Sequence, residues 1–301
     1  MDQFSRAQTK AQLRQDIEEE RARRTVEHQI TVNRKKQRAR HRQAHKLAAE
    51  PVPLDCLAIG DSWFDYPLND FGVPWPNQAI VAQLQTLGNP RPTILNRAIP
   101  GQASTAVMGL NNQKQYLSDI TTGSWFEGTP DAILVSAGGD DLVGDQFIIY
   151  LDYVGGGLSP RAKAAIDLVE ASYQALFQFR DVYAPGTPIF GHCYDYAIPN
   201  GSHPGILGGP WLKPSLDFAS YDYAQGLALV KQLIDEFYAM LHGLAGVAKN
   251  NFILVDTRGT LTRDMSHPLG WANEIHPYTN GFIELAKKFV PTLRTQFPGR
   301  I

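Results

Sequence analysis

A serine attacks a carbonyl only when a neighbouring base takes its proton, and this chain places one serine where that chemistry could start. The run Leu54-Asp55-Cys56-Leu57-Ala58-Ile59 is largely apolar and of strand length, and it stops at Gly60-Asp61-Ser62. Such a run reads as a buried parallel strand delivering its last residues to the carboxyl edge of a sheet. That edge is where open α/β sheets bind ligands. A base is available far along the chain, in Trp271-Ala272-Asn273-Glu274-Ile275-His276-Pro277, just before a helix-like segment. Between these stretches, Ile99-Pro100-Gly101-Gln102-Ala103-Ser104 and Ala137-Gly138-Gly139-Asp140-Asp141 each close another apolar run. His192, His203 and His267 are further imidazoles, but none has a matching motif around it.

In this order the four stretches resemble those of the SGNH, or GDSL-type, hydrolases, whose markers are a Ser, a Gly, an Asn and a His. The resemblance runs from about Leu54 to the C-terminus. It implies Ser62 as nucleophile, His276 as general base, and the N–H groups of Ser62 and Gly101 as oxyanion donors. Two positions depart from the pattern. Asp140 stands where the family's Gly-x-Asn-Asp carries an amide donor, and Asn273 stands where its Asp-x-x-His carries Asp. The implied activity is hydrolysis of carboxylic esters, whether lipid, short-chain or O-acetylated glycan, through an acyl-enzyme.

Both departures touch the chemistry. Asn273 can orient the ring through its side-chain oxygen but cannot stabilise an imidazolium as a carboxylate would. Glu274 and Asp264 are carboxylates that could be borrowed instead. An ionised Asp140 would repel an oxyanion. Burial beside Asp141 would raise its pKa, so Asp140 is expected protonated and donating; otherwise it caps the following turn. Asp61, Trp63, Tyr194 and Asp195, with Asp65, Phe64, Tyr66, Tyr196 and Trp211, are expected to ring the site and bind substrate.

The elements that must position these residues alternate. Strand-like runs cover 54–59, 93–98, 132–137, 188–193 and 252–255, and helix-like runs cover 78–87, 105–117, 161–182, 223–248 and 281–297. Alternation of this kind predicts a three-layer α/β/α fold, a doubly wound, five-stranded parallel sheet of flavodoxin-like type. Two connections, 145–160 and 194–216, are long and rich in Gly and aromatics, and both follow strands, as lids or pocket walls do.

Residues 1–50 are different material. They contain no Pro or Gly and hold 13 Lys and Arg against 7 Asp and Glu, although the whole chain nets −2. This predicts a basic helical arm ending at Pro51-Val52-Pro53, followed by the hydrolase-like domain at 51–301. The Arg34–Arg42 cluster suits an anionic membrane, nucleic acid, a partner chain or a second copy, and equally a solvated helix face. A non-catalytic binding protein acting through this arm is the competing reading. Neither a signal peptide nor a membrane span is recognisable, which predicts a cytoplasmic protein or one exported by a route that needs no such signal. Cys56 and Cys193 sit in apolar runs as expected of buried thiols. No phosphate loop, zinc spacing or dinucleotide fingerprint occurs, and the expected chemistry needs no cofactor.

Overall fold

The computed structural model describes residues 3–48, 50–68, 70, 78–122, 125–204, 208–264 and 267–301, with backbone alone for 3–10, 13 and 14. After helix α1 (Gln3–Ala44) come β1 (Asp55–Gly60), α2 (Ile80–Leu84), β2 (Thr93–Asn96), α3 (Ser104–Val107), α4 (Leu110–Thr121) and β3 (Ala132–Ser136). Next are α5 (Gly139–Leu142), a 3-10 turn at Asp145–Tyr150, and the short hairpin β4 (Leu151–Asp152) and β5 (Gly157–Leu158). The chain ends with α6 (Pro160–Tyr183), β6 (Ile189–His192), α7 (Lys213–Phe218), α8 (Tyr223–Ala245), β7 (Phe252–Val255) and α9 (Thr279–Gln296).

The five long strands form one parallel sheet in the order β2-β1-β3-β6-β7. Read as consecutive sheet strands this is the 2-1-3-4-5 order of flavodoxin-like folds, whose ligand crevice opens where the winding reverses, between β1 and β3. β1 and β3 are buried along their whole length, as strands covered on both faces must be. Helix α2 packs on α9, and α6 packs on α3, α4 and α8. The helix expected over 105–117 is divided, with Met108 ending α3 and Gly109 starting α4. At the start of α9, Asp70 accepts from both Thr279 N and Thr279 Oγ1, each at 2.7 Å.

The N-terminal segment is one helix lying along β2, the edge strand. Covering an edge blocks further strand pairing. Val32 and His28 are buried, the latter against Trp125. Arg24 reaches Asp65 at 2.6 Å, and Thr25 Oγ1 accepts from Arg97, which itself pairs with Asp119. Within the basic cluster Lys35 turns inward onto Asp55, while Arg34, Arg38 and Arg40 stay exposed.

Candidate active site

Gly60 ends β1 in a conformation that only glycine supplies: its φ is +137°, and an added Cβ would lie 2.0 Å from the Ser136 carbonyl. The chain then turns sharply. The Asp61 carbonyl accepts from Phe64 N and Asp65 N, and the Asp61 carboxylate accepts from Trp63 N at 3.0 Å. These bonds leave the Ser62 N–H without an acceptor among the described residues. The Gly101 N–H is equally unengaged, and Gly101 holds φ +78° in the loop after β2.

Ser62 Oγ lies 2.7 Å from His276 Nε2, across 214 residues of sequence. Both are buried, at 7% and 3% exposure. The imidazole sits in a tight loop closed by a bridge between Trp271 and Pro277 and tied down by the Trp63 indole, which donates to Ile275 O at 3.0 Å. His276 Nδ1 is 3.1 Å from Asn273 Oδ1, which also accepts from Ile275 N and His276 N. An oxygen held by two main-chain donors can only accept from Nδ1. The ring therefore carries its proton there and presents a lone pair at Nε2 to Ser62. Burial lowers the imidazole pKa to about 3, so the ring is neutral.

Neither borrowed carboxylate is at the ring. Glu274 is fully buried and accepts from the N–H groups of Gly201, Trp211, Leu212 and Lys213. It thereby anchors the 194–216 connection, of which residues 205–207 lie outside the described residues. Asp264 is exposed in a loop, its carbonyl accepting from His267 N.

The adjacent carboxylates at the end of β3 divide their work. Asp141 accepts from Ser104 N at 2.7 Å and Ser104 Oγ at 2.9 Å, which fixes the loop that carries Gly101. Asp140 makes no side-chain hydrogen bond among the described residues and faces the same cavity as Ser62. Burial, with the charges of Asp61 and Asp141, pushes its pKa well above the ordinary carboxylate range.

Asp61 and Asp195 also line the cavity, but their carboxylates are committed to the protein. Asp195 accepts from the N–H groups of Tyr196, Gly259 and Leu261, each at 2.7 Å. Asp61 is bonded by the Tyr194 hydroxyl and by Ser136 Oγ, and the Tyr194 hydroxyl accepts from Gly139 N at 2.9 Å. His192 completes this network: Nδ1 accepts from Tyr194 N, so Nε2 carries the proton toward Ser136 Oγ at 2.9 Å. Sequence reading had no signal for Ser136, or for this use of His192.

The cavity measures about 50 Å³, and its walls include Leu142, Val143, Leu212, Val230, Leu233 and Ile275. Val230 and Leu233 come from α8, whose apolar face reads in sequence as ordinary core. Trp63 and Tyr194 stand edge to face at 5.2 Å beside it. Among the described residues no cluster of three or more His, Cys, Asp or Glu could hold a metal ion, and no helix is long and apolar enough to cross a membrane.

A serine and a histidine thus meet at the switch point of a flavodoxin-ordered sheet, the fold that the resemblance to SGNH, or GDSL-type, hydrolases implies. Comparison with solved structures bears out that fold. The lipase Lip_vut3 from a goat rumen metagenome superposes with a TM-score of 0.50 at 15% identity, over 79% of this chain and 96% of that one. A carbohydrate acetylesterase family member from Sinorhizobium meliloti (TM-score 0.48, 14% identity, 81% and 99% covered) and an extracellular lipase from Streptomyces rimosus (0.46, 17%, 80% and 99%) are also similar. No protein-family model and no curated protein matches the sequence.

Proposed function

We propose that this protein hydrolyses carboxylic esters of short acyl chain through an acyl-enzyme on Ser62. The observation that carries the reading is the 2.7 Å approach of Ser62 Oγ to a neutral imidazole whose free lone pair faces it. The Ser62 proton passes to His276 Nε2 as Oγ bonds to the ester carbon. The carbonyl oxygen becomes an oxyanion that takes the N–H groups of Ser62 and Gly101, with protonated Asp140 as third donor. Nε2 then returns its proton to the departing alkoxide, and water clears the acyl group by the same steps.

The leaving alcohol must touch the imidazole to receive that proton. His276 is flanked by the stacked Tyr66 ring and by Trp211, so the alcohol lies at the Nε2 edge beside Ser62. The acyl chain is left the apolar cavity beyond Ser62 and Asp140. A cavity as small as about 50 Å³, walled by apolar side chains, favours short acyl chains over long ones.

A fluorophosphonate probe tests the reading, because only an activated serine reacts. Labelling should fall on Ser62 and vanish in Ser62→Ala. Intact, folded protein that stays unlabelled from about pH 6 to 9, where the imidazole is neutral, would overturn it.

A further inference from the structure

Accepting the Ser62 proton makes a cation at His276, and among the described residues no carboxylate is hydrogen-bonded to the ring. Among the described residues, Asn273 meets the ring at Nδ1, Ser62 at Nε2, the Tyr66 ring stacks on it and Trp211 packs against it at a steep angle. The nearest carboxylates in sequence are committed elsewhere: Glu274 to the N–H groups at 201 and 211–213, and Asp61 to Trp63 N, Ser136 and Tyr194. Burial by itself disfavours the charged ring. An esterase with Asn in this place needs another source of positive-charge stabilisation.

The Tyr66 ring lies flat on the imidazole, with centroids 3.9 Å apart and planes inclined by 17°. The face of an aromatic ring is its negative side, and it attracts a desolvated cation stacked on it. The Tyr66 hydroxyl accepts from Asn273 Nδ2 at 3.0 Å. This bond keeps the amide oxygen turned toward His276 Nδ1; a flipped amide would present N–H to the ring and reverse its tautomer. The turn that carries Ser62 delivers Tyr66 too, and Asn96 holds that turn by donating to Phe64 O at 2.9 Å.

We propose that Tyr66 is a positioning residue that takes over the work of the absent carboxylate: its π face stabilises the His276 imidazolium, and its hydroxyl orients Asn273. The inference rests on the reading of Ser62 and His276 as nucleophile and base. Charge balances within the site. The proton leaves Ser62 for Nε2 as Oγ bonds to carbon, and the positive charge spreads over the ring beneath Tyr66. It disappears when the alkoxide takes the proton. Tyr66 stays neutral throughout, its hydroxyl pushed up to about 12 by burial.

The test replaces Tyr66 in the full-length chain by Phe and by Phe carrying one, two and three ring fluorines, which keep the shape while draining the π face. Tyr66→Phe removes the acceptor of Asn273 Nδ2 and should lower kcat by about three- to tenfold, and it is the reference for the fluorinated series. The fluorinated series should lower kcat stepwise, to a total of about 30-fold at nearly constant KM. Adding Asn273→Asp should flatten the series, because a carboxylate then meets the cation directly; a merely structural Tyr66 would not respond to that change. If the wild type labels at Ser62 yet kcat is independent of fluorination, the inference about Tyr66 fails alone. If the wild type does not label, the nucleophile reading fails and takes this inference with it.

Discussion

His276 Nδ1 meets an amide oxygen, Asn273 Oδ1, at 3.1 Å, where hydrolases of this architecture are expected to place a carboxylate. The amide sets the tautomer but brings no charge. Asn273→Asp is nearly isosteric, and the Tyr66 hydroxyl can rotate to donate to the new oxygen. Its kcat is expected to rise about tenfold with KM little changed. Asn273→Ala, which leaves Nδ1 and two main-chain N–H groups without their acceptor, is expected to lower kcat by at least about 10²-fold. Steady-state kinetics on one chromogenic ester decides both.

Asp140 predicts the alkaline limb of the pH profile. Burial and the neighbouring Asp61 and Asp141 raise its pKa, so the donating, protonated form persists below that raised value. As pH climbs through it the donor is lost and a charge faces the oxyanion. Turnover should fall on that side. Asp140→Asn donates at any pH, so it should match or exceed the wild type at neutral pH and remove the limb. A severe loss in Asp140→Asn at neutral pH would remove Asp140 from the oxyanion site.

Ser62 and His276 should behave as one unit. Either change to Ala is expected to lower kcat by about 10³-fold or more, and the double variant should be little worse than the worse single one. Additive losses, measured with enzyme free of contaminating esterase, would mean that the pair does not share a proton.

Leu233 should set the acyl-length limit. Wild type is expected to prefer acetyl to butyryl esters over octanoyl by at least about tenfold in kcat/KM, since a methylene that cannot be accommodated costs about 1–3 kcal/mol. Leu233→Ala should move the optimum to longer chains. A wild type that favours octanoyl esters would mean the cavity is not the acyl site.

Glu274 carries stability. Glu274→Gln turns an NH₂ group toward main-chain donors now facing a carboxylate. A loss of about 2–3 kcal/mol in urea unfolding is expected. Activity should fall with it, because the same residue ties the 194–216 connection to the His276 loop.

The sheet was legible because its signal is local. Apolar runs ending at small polar residues mark buried parallel strands, and the five expected runs match the five observed strands to within about two residues. The Ser62, Gly101 and Asp140 stretches were legible for the same reason, each being a short motif at the end of a run, whereas the His276 stretch was legible from its place just before the last helix. The short elements α5 and α7 and the β4–β5 hairpin left no periodic trace. Nor could sequence tell Asp140 from Asp141: the two are adjacent, and only packing turns one onto Ser104 and leaves the other facing the cavity.

What the chain's order of residues settled alone is the alternation of strand and helix and the placing of the Ser62, Gly101 and Asp140 motifs at strand ends, since apolar spacing acts over a few residues at a time. The folded molecule decided the rest: that Asn273 and not Glu274 meets the imidazole, that Asp70 caps α9, that α1 lies along β2, and that α8 walls the cavity beside Ser62. A hydrogen bond or a wall between residues far apart in sequence depends on where the packed layers bring them, and no local pattern records that distance.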